Sequence, residues 1–492
     1  MKNSGVLLHI SSLPSPWGIG TLGKAARDFI DFLAAAGQQY WQILPICPTG
    51  YGDSPYQSFA SFAGNPYFID LDSLCADGLL RPEEYRQIHW GSDPERADYG
   101  LLYRERTGVL RIAARRFLQD PGEEFRDFCS RNSFWLEDYA LFMTIKEHHG
   151  NVAWTDWPED YRTREASALA AFRKEHEQEL LLWKVQQFLF FEQWYGVLQY
   201  AEKKGIRIIG DIPIYVSLDS ADVWAHPELF QLDGELVPEE ISGCPPDGFS
   251  ETGQVWGNPL FDWERMKEDG YAWWTQRIRY LSEIYHVIRI DHFRGFESYF
   301  AIPYGDDSAA NGVWRKGPGL DFFRTVESVT GKLPIIAENL GFLTPTVEEL
   351  LQETGYPGMK VLEMAFDHRD PAGSEYLPEN YDEHCVAYIG THDNDTAAGW
   401  LRNGPPVDVR EAVRYLGLTD PEAYNWEMMR ALWQSAAGIT IVQAQDLLGL
   451  GSEARMNTPS VPSGNWQWRA KPDAFTARLA EKLREEMNRC GR

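Results

Sequence analysis

Eight short apolar runs constrain the fold of this chain more than any other feature of its sequence. Each run ends in polar or glycine residues, and helical patterns such as 23–37, 181–205 and 344–355 lie between most of them. Eight strands that alternate with helices favour a closed parallel barrel over an open sheet. We therefore expect an α/β fold, a (β/α)8 TIM barrel, with strands in residues 6–10, 40–46, 206–212, 287–291, 334–339, 360–366, 386–393 and 439–446.

Two long gaps between these strands predict insertions rather than separate domains. Residues from about 73 to 180 are rich in charge, tryptophan and helical pattern, and residues from about 213 to 280 contain the loop "SGCPPDGFSETGQVWGNP". A single elaborated barrel can accommodate a chain of 492 residues. We expect one barrel over residues 1–492, with a mainly helical insertion at about 73–180 and a second insertion, carrying a lid loop, at about 213–280.

Composition narrows the possible partners. The net charge of −27 disfavours nucleic acid and anionic membrane. The six cysteines are scattered, which fits neither a disulfide framework nor a zinc site. The sequence has no run of about 20 apolar residues, and the apolar run near its start is too short for a signal peptide. We expect a cytoplasmic protein that needs no cofactor and no metal.

Acidic residues recur where the predicted strands end. In parallel barrels the active site lies at the carboxyl ends of the strands, so these residues are expected to converge there. Any one of them could instead be a helix cap or a solvated turn, but their convergence predicts a functional rim. The acids are Asp211, Asp291, Glu338, Asp367, Asp393 and Asp446.

Two of these carboxylates suggest complementary chemical roles. Arg289 and Asp291 share one face of their strand, so the arginine is expected to lower the pKa of Asp291 and keep it ionised as a nucleophile. Glu338 follows the apolar run PIIA, and desolvation together with nearby negative charge should raise its pKa and keep it protonated. A nucleophile and a protonated acid are the pair that retaining glycoside chemistry requires.

A third carboxylate lies in the segment "GTHDNDT". His392 and Asp393 could be metal ligands, but the spacing of a divalent-metal loop is missing here. We prefer Asp393 as a holder of sugar hydroxyls, with His392 donating a hydrogen bond beside it. Aromatic residues make up 14% of the chain and are suited to stacking on sugar rings, although most of them are expected in the core.

Several longer motifs resemble those of one known family. "SLPSPWGIGTLG", "GYGDSPYQSFASFAGNPYFIDL", "GDIPIYVSLDSADVW", "PPDGFSETGQVWGNP", "RIDHFRGF", "IIAENLG", "GTHDNDT" and "RMNTPS" occur in order over nearly the whole chain. They are similar to the motifs of the amylomaltases, the cytoplasmic 4-α-glucanotransferases of the α-amylase superfamily. The resemblance implies a barrel enzyme that moves segments of α-1,4-glucan, such as maltooligosaccharides or amylose, to the 4-OH of another glucan or of glucose. It also implies a retaining double displacement through a glycosyl-aspartate intermediate.

The resemblance implies a role for each matching residue. Asp291 is the expected nucleophile, Glu338 the acid/base and Asp393 the carboxylate that stabilises the transition state. Contacts to the cleaved sugar are expected from Tyr56, Asp211, Arg289 and His392, and contacts along the glucan cleft from Ser54, Gln254, Trp256 and Asn457. One position departs from the pattern, because Gly248 stands where well-known relatives have a tyrosine that covers the cleft.

Three alternatives remain open at the level of sequence. A retaining α-glucan hydrolase of the same superfamily would carry the same three carboxylates. A metal-dependent barrel enzyme such as an isomerase would use the Asp, Glu and His residues as ligands. A silent glucan-binding protein would lack one catalytic carboxylate, whereas all three are present.

Overall fold

A computed structural model describes residues 2–246, 252–341, 343–370 and 373–492. Gly248, and with it the predicted departure in the lid, lies outside these described residues. The strands in the described part are β1 Asn3–Leu7, β2 Tyr40–Gln42, β3 Arg207–Ile212, β4 Glu240–Cys244, β5 Gln254–Pro259, β6 Val287–Ile290, β7 Ser298–Pro303, β8 Val313–Lys316, β9 Ile335–Ala337, β10 Gly358–Val361, β11 Cys385–Tyr388 and β12 Ile439–Gln443.

Eight of these strands close into a parallel barrel in the order β1, β2, β3, β6, β9, β10, β11, β12 and back to β1. All eight predicted apolar runs supply a barrel strand, so the predicted TIM barrel is confirmed. The runs are apolar because these strands are buried on both faces, inside the barrel and under the helices. Buried residues contributed by the eight strands include Val6, Trp41, Ile209, Ile288, Ile336, Val361, Val386 and Ile441.

The helices cover the barrel and fill the long connections. Over the described residues they are α1 Lys24–Ala35, α2 Leu71–Ala76, α3 Tyr99–Phe117, α4 Glu123–Arg131, α5 Ser133–His148, α6 Glu159–Arg162, α7 Ala166–Glu175, α8 Glu177–Lys203, α9 Ala221–Ala225, α10 Trp263–Glu268, α11 Ala272–Ile284, α12 Gly319–Thr330, α13 Pro345–Thr354, α14 Ala397–Asn403, α15 Pro406–Leu416, α16 Tyr424–Gln434, α17 Ala444–Leu448 and α18 Ala477–Arg489. Helices α2 to α8 all lie between β2 and β3. Among the described residues, no helix combines the length and apolarity needed to cross a membrane.

A second, antiparallel sheet of four strands has the order β5-β4-β7-β8 and is built from two connections of the barrel. Strands β4 and β5 fall in the predicted insertion at 213–280, whereas β7 and β8 follow the barrel strand β6. The sequence pattern did not indicate this second contribution. Apart from this difference, the division of residues 1–492 into one barrel unit with two insertions stays a prediction.

Candidate active site

An open cleft of about 460 Å³ lies at the carboxyl ends of the barrel strands. It contains every residue that the sequence nominated for catalysis or binding except Asp211, which is buried beneath it. The nominated residues that line the cleft are Ser54, Tyr56, Gln254, Trp256, Arg289, Asp291, Glu338, His392, Asp393 and Asn457.

Arg289 connects two acidic side chains at the floor of the cleft. The register of the barrel places Arg289 of β6 directly beside Asp211 of β3. One terminal nitrogen, Nη1, donates to both carboxylate oxygens of Asp211, at 2.7 and 2.6 Å, and to Oδ1 of Asp291 at 2.9 Å. The guanidinium is almost fully buried, whereas the Asp291 side chain keeps 28% of its surface exposed. Asp291 is therefore oriented from below and open to the cleft.

The charge state of Asp291 differs from the expectation that Arg289 lowers its pKa. Burial has the largest effect and, together with the neighbouring carboxylates Asp211 and Asp393, raises the pKa of Asp291 to about 6 even though Arg289 lowers it. The arginine offsets burial only in part because it is shared with Asp211, which takes two of its hydrogen bonds. Asp291 is thus ionised near neutral pH but not at acidic pH.

Glu338 emerges beside Asp291 at the end of the neighbouring strand. Ile290 and Ala337 are register partners, and the backbone N–H of Glu338 donates to the carbonyl of Ile290 at 2.9 Å. The carboxylate accepts from the backbone N–H groups of His292 at 2.7 Å and of Leu340 at 2.8 Å. Burial, followed by the charge of Asp291, still raises the pKa of Glu338 to about 7. This agrees with the expected protonated acid.

The left-handed backbone of His292 makes this arrangement possible. Its φ of +52° ends strand β6 sharply, so that its N–H points at the Glu338 carboxylate. Strand β6 therefore ends at Ile290, one residue before the predicted end at 291. Positive φ is unfavourable for a residue with a side chain and, at functional sites, is retained where the surroundings fix it.

Asp393 is held by a segment from the far end of the chain. Its Oδ1 accepts from Nδ2 of Asn457 at 2.6 Å, and its Oδ2 lies 3.4 Å from Nε2 of His392. Arg455 donates to the backbone carbonyls of Asp393 at 2.6 Å and of Asn457 at 2.8 Å, which ties the two segments together. The "GTHDNDT" and "RMNTPS" motifs therefore pack together and jointly position Asp393.

Tyr56 completes the polar floor and one wall. Its hydroxyl donates to Asp211 at 2.8 Å, and its ring stacks on His392 with centroids 5.2 Å apart. Ser54 accepts from the backbone N–H of Tyr56 at 3.2 Å and so forms a tight local turn. The Tyr56 ring is fixed from below by its hydroxyl and from the side by the imidazole.

The opposite wall comes from the antiparallel sheet. The indole N–H of Trp256 donates to Oε1 of Gln254 at 3.1 Å, and the Trp256 ring packs edge-on against His292 with centroids 4.9 Å apart. Trp256 is half-buried and borders the cleft. An aromatic ring at such a position can contact the apolar face of a sugar.

Besides the buried Asp211, two of the six strand-end acids do not line the cleft. Strand β10 ends at Val361 and a short 3-10 helix, Leu362–Phe366, follows, so Asp367 lies beyond it and pairs with Arg369 at 2.7 Å. Asp446 lies in α17 and accepts from the backbone N–H of Ala397 at 2.7 Å. The prediction of a functional rim is wrong for these two, because both apolar runs continue past the end of the strand.

Some residues that support or line the cleft were not nominated from the sequence. Arg455 lies inside the quoted "RMNTPS" motif, which was the only signal for it. The cleft is also lined by the side chains of Tyr215, Trp314, Met364 and Trp466. Trp314 lies in β8 of the second sheet and Met364 in the 3-10 helix Leu362–Phe366, whereas Tyr215 and Trp466 lie in loops. None of them is an acid at the end of a predicted strand, which was the signal used for the candidate site.

Comparison with known proteins agrees with this geometry. The family model described as 4-alpha-glucanotransferase matches residues 8–475. The chain belongs to the 4-alpha-glucanotransferase family. It is 47% identical to the 4-alpha-glucanotransferase of Clostridium butyricum over 97% of this chain and 98% of that protein. With that of Thermus thermophilus it shares 47% identity over 98% and 97% of the two chains. The solved amylomaltase of Streptococcus agalactiae, in complex with acarbose, matches with a TM-score of 0.97 at 41% identity over the full length of both chains.

Membership of this family decides between the functional alternatives. The protein is an enzyme, a transglycosylase of the 4-alpha-glucanotransferase class, as the motifs predicted. The hypotheses of a metal-dependent isomerase and of a silent glucan-binding protein are therefore set aside. Among the remaining two, family membership favours transfer over hydrolysis. The remaining question is how the cleft performs the transfer.

Proposed function

We propose that this enzyme moves segments of α-1,4-glucan by a retaining double displacement, with Asp291 as nucleophile and Glu338 as acid/base. The observation that carries the proposal is the placement of these two carboxylates at the same level on adjacent strands, one beside Arg289 and the other buried with a raised pKa. Retaining enzymes use such a pair, in which one group attacks and the other protonates.

In the first step, an oxygen of Asp291 forms a bond to the anomeric carbon of the donor. The bond from that carbon to the leaving O4 breaks, and Glu338 delivers its proton to O4, which leaves as a hydroxyl. Arg289 keeps hold of the attacking carboxylate and orients its other oxygen towards the sugar. The raised pKa of Glu338 provides the proton near neutral pH.

In the second step, Glu338 acts as a base. It removes the proton from the 4-OH of an acceptor, whose oxygen bonds to the anomeric carbon as the bond to Asp291 breaks. Asp291 departs as a carboxylate, whose negative charge Arg289 stabilises, and Glu338 returns to its protonated form. Two inversions at one carbon restore the α linkage.

The other residues of the cleft position the sugar. Asp393 is fixed by Asn457 and can hold hydroxyls of the ring that acquires positive charge in the transition state. Tyr56, His392 and Arg289 surround the same ring, and Asp211 acts from below through Arg289 and Tyr56. Ser54, Gln254, Trp256 and Asn457 contact the rest of the glucan.

We propose maltooligosaccharides, amylose and related α-1,4-glucans as donors, with glucose among the acceptors. The likeness to the Streptococcus agalactiae amylomaltase, which was solved in complex with acarbose, supports a carbohydrate substrate. The volume of about 460 Å³ is in the range of sites for small ligands and suits a few sugar rings.

The mechanism is tested by trapping the intermediate. Glu338→Gln should lose about 10²- to 10⁴-fold in transfer between glucans, because their leaving group needs a proton. With α-glucosyl fluoride as donor, whose leaving group needs none, the first step should still proceed and the second should stall. Mass spectrometry of the digested variant should then find a glucosyl group on the peptide that contains Asp291. The double variant Asp291→Ala Glu338→Gln is the matched control and should carry none. A glucosyl group on another residue would contradict the assignment of the nucleophile.

A further inference from the structure

A group of metal-ligand side chains lies outside the cleft, in the helical connection between β2 and β3. His148 is the last residue of α5, His176 lies at the junction of α7 and α8, and Glu179 is in the first turn of α8. One donor atom from each of the three residues lies within 4.8 Å of the other two. None of them borders the cleft.

The imidazole rings of His148 and His176 lie close together, and their nitrogens have no hydrogen-bond partner among the described residues. Their ring centroids are 4.1 Å apart at an angle of 50°. Among the described residues neither ring nitrogen of His148 or His176 has a hydrogen-bond partner, and the nearest charged atom to Nδ1 of His176 is an oxygen of Glu179 at 4.0 Å. The His176 side chain is 16% exposed and the His148 side chain is exposed, so an ion can reach the rings from solvent. Imidazole nitrogens without a partner, beside a carboxylate, are available as metal ligands.

The surroundings of the two rings resemble the apolar shell of a metal site. Phe172 of α7 packs edge-on against His148 at 5.6 Å and lies 4.2 Å from His176, measured between centroids. Phe172 restricts the orientation of both rings, while His148 stays open to solvent. The first turn of α8 also carries Glu177 beside Glu179, which adds negative charge near the donors.

We propose that His148, His176 and Glu179 form a binding site for a divalent transition-metal ion of the Zn²⁺ class. Two imidazole nitrogens and one carboxylate oxygen are donors that Zn²⁺ accepts, with a fourth position left for water. Bonds of about 2.0–2.2 Å require the donor atoms to move closer together. The exposed side chain of His148, on the last residue of its helix, has the freedom to do so.

The bound ion would join the end of α5 to the start of α8 through side chains. Because the unfolded chain does not bring the three donors together, binding stabilises the folded connection by mass action. The role inferred for the site is structural, and it does not depend on the mechanism proposed for the cleft.

A second group of donors serves as an internal comparison. Asp367, His368 and Asp408 also meet within 4.8 Å. The donor atoms of this group already have partners within the protein. Oδ1 of Asp408 lies 2.7 Å from Nδ1 of His368, and Asp367 pairs with Arg369 at 2.7 Å. We therefore expect a metal at the first group and not at this one.

The experiment measures Zn²⁺ binding to the full chain after removal of metal with a chelator. Isothermal titration should find one strong Zn²⁺ site per chain, and Zn²⁺ should raise the melting temperature. His148→Ala and His176→Ala should each weaken binding at least tenfold and remove the thermal shift, and Glu179→Gln should weaken binding to a smaller extent. His368→Ala should leave both unchanged. Transfer activity should be unaltered in all four variants, which shows that they are folded.

Co²⁺ provides a second readout of the same site. A chain loaded with one Co²⁺ should show the intense visible absorption of a four-coordinate ion, and His148→Ala should lose it. The proposal is overturned if the native chain binds no stoichiometric Zn²⁺. It is also overturned if His368→Ala removes the site, or if His148→Ala and His176→Ala bind Zn²⁺ as tightly as the native chain.

Discussion

Arg289 determines the electrostatics of the cleft because one guanidinium nitrogen serves both Asp211 and Asp291. A positive charge divided between two carboxylates compensates each of them less than a dedicated partner would. As a result burial dominates, and the pKa values of Asp291 and Glu338 are both raised, to about 6 and about 7. The active form, with Asp291 ionised and Glu338 protonated, is therefore confined to a narrow range of pH.

This range gives a prediction for the pH profile. The rate should rise as the pH increases through about 6, where Asp291 loses its proton, and fall as it increases through about 7, where Glu338 loses its proton. The measurement is kcat/KM for maltotriose against pH. With α-glucosyl fluoride the alkaline limb should disappear from the first step, since that donor needs no acid. An alkaline limb of equal depth with both donors would contradict the role of Glu338.

Arg455 gives a second prediction at this scale. Arg455→Met removes the hydrogen bonds to the carbonyls of Asp393 and Asn457 and should release the Asp393 carboxylate from its position. Hydrogen bonds from a charged donor are worth about 1.5–3 kcal/mol, so kcat/KM should fall about tenfold to a hundredfold. Arg414→Met is the matched control, because Arg414 is exposed and pairs with Glu411 on the surface of α15. Equal, small effects in both variants would show that Arg455 does not position the site.

The sequence predicted which carboxylates meet in the cleft, but it missed part of what holds them in place. Asp291 and Glu338 were found because each ends an apolar run that is a barrel strand, and the end of such a strand has a fixed place in the fold. Arg455 was not found, because one of its two contacts reaches Asp393, 62 positions away in sequence. Asp446 was wrongly included because the apolar pattern does not show where strand β12 ends and helix α17 begins.

At the scale of elements, the four-stranded sheet gives the cleft a wall that the eight-stranded barrel alone would not provide. Its strand β5 presents Gln254 and Trp256 to the cleft, and β8 presents Trp314. Predicting the sheet required pairing β4 with β7, which lie on opposite sides of a barrel strand in the sequence. Local patterns cannot supply such a pairing, whereas the eight barrel strands follow from alternation with helices alone.

Trp256 tests what this sheet contributes. Trp256→Ala should weaken acceptor binding more than formation of the glycosyl-enzyme, because water then competes better for the intermediate. The loss of one aromatic contact corresponds to about a two- to tenfold rise in the ratio of hydrolysis to transfer from maltotriose. The ratio is measured from reducing ends and from lengthened chains in the same samples. If both reactions fall equally, Trp256 supports the fold or binds the donor.

At the scale of the whole molecule, the barrel carries buried acids that take no part in the cleft. Asp446 is fully buried, and burial raises its pKa to about 7. In the unfolded chain the same group ionises near pH 4. The folded state therefore loses stability as the pH rises from about 4 to about 7, at up to about 1.4 kcal/mol per pH unit, and the loss levels off above that range.

The corresponding prediction concerns the pH dependence of thermal stability. Asp446→Asn should reduce the fall in melting temperature between pH 5 and pH 7.5, since asparagine cannot ionise and can still accept from the N–H of Ala397. The comparison is between native and variant curves by differential scanning fluorimetry. Asp28→Asn, on the exposed face of α1, should leave the curve unchanged. Parallel curves for native protein and Asp446→Asn would contradict this account.

The most direct test of the central claim follows the products of maltotriose with isotopically labelled glucose present. Transfer with retention predicts labelled maltooligosaccharides longer than maltotriose, with every new linkage in the α configuration by NMR. It also predicts almost no increase in total reducing ends, because each linkage that breaks is replaced by a new one. A steady increase in reducing ends without lengthened chains, or products formed with inverted configuration, would contradict the claim that Asp291 and Glu338 transfer glucan by double displacement.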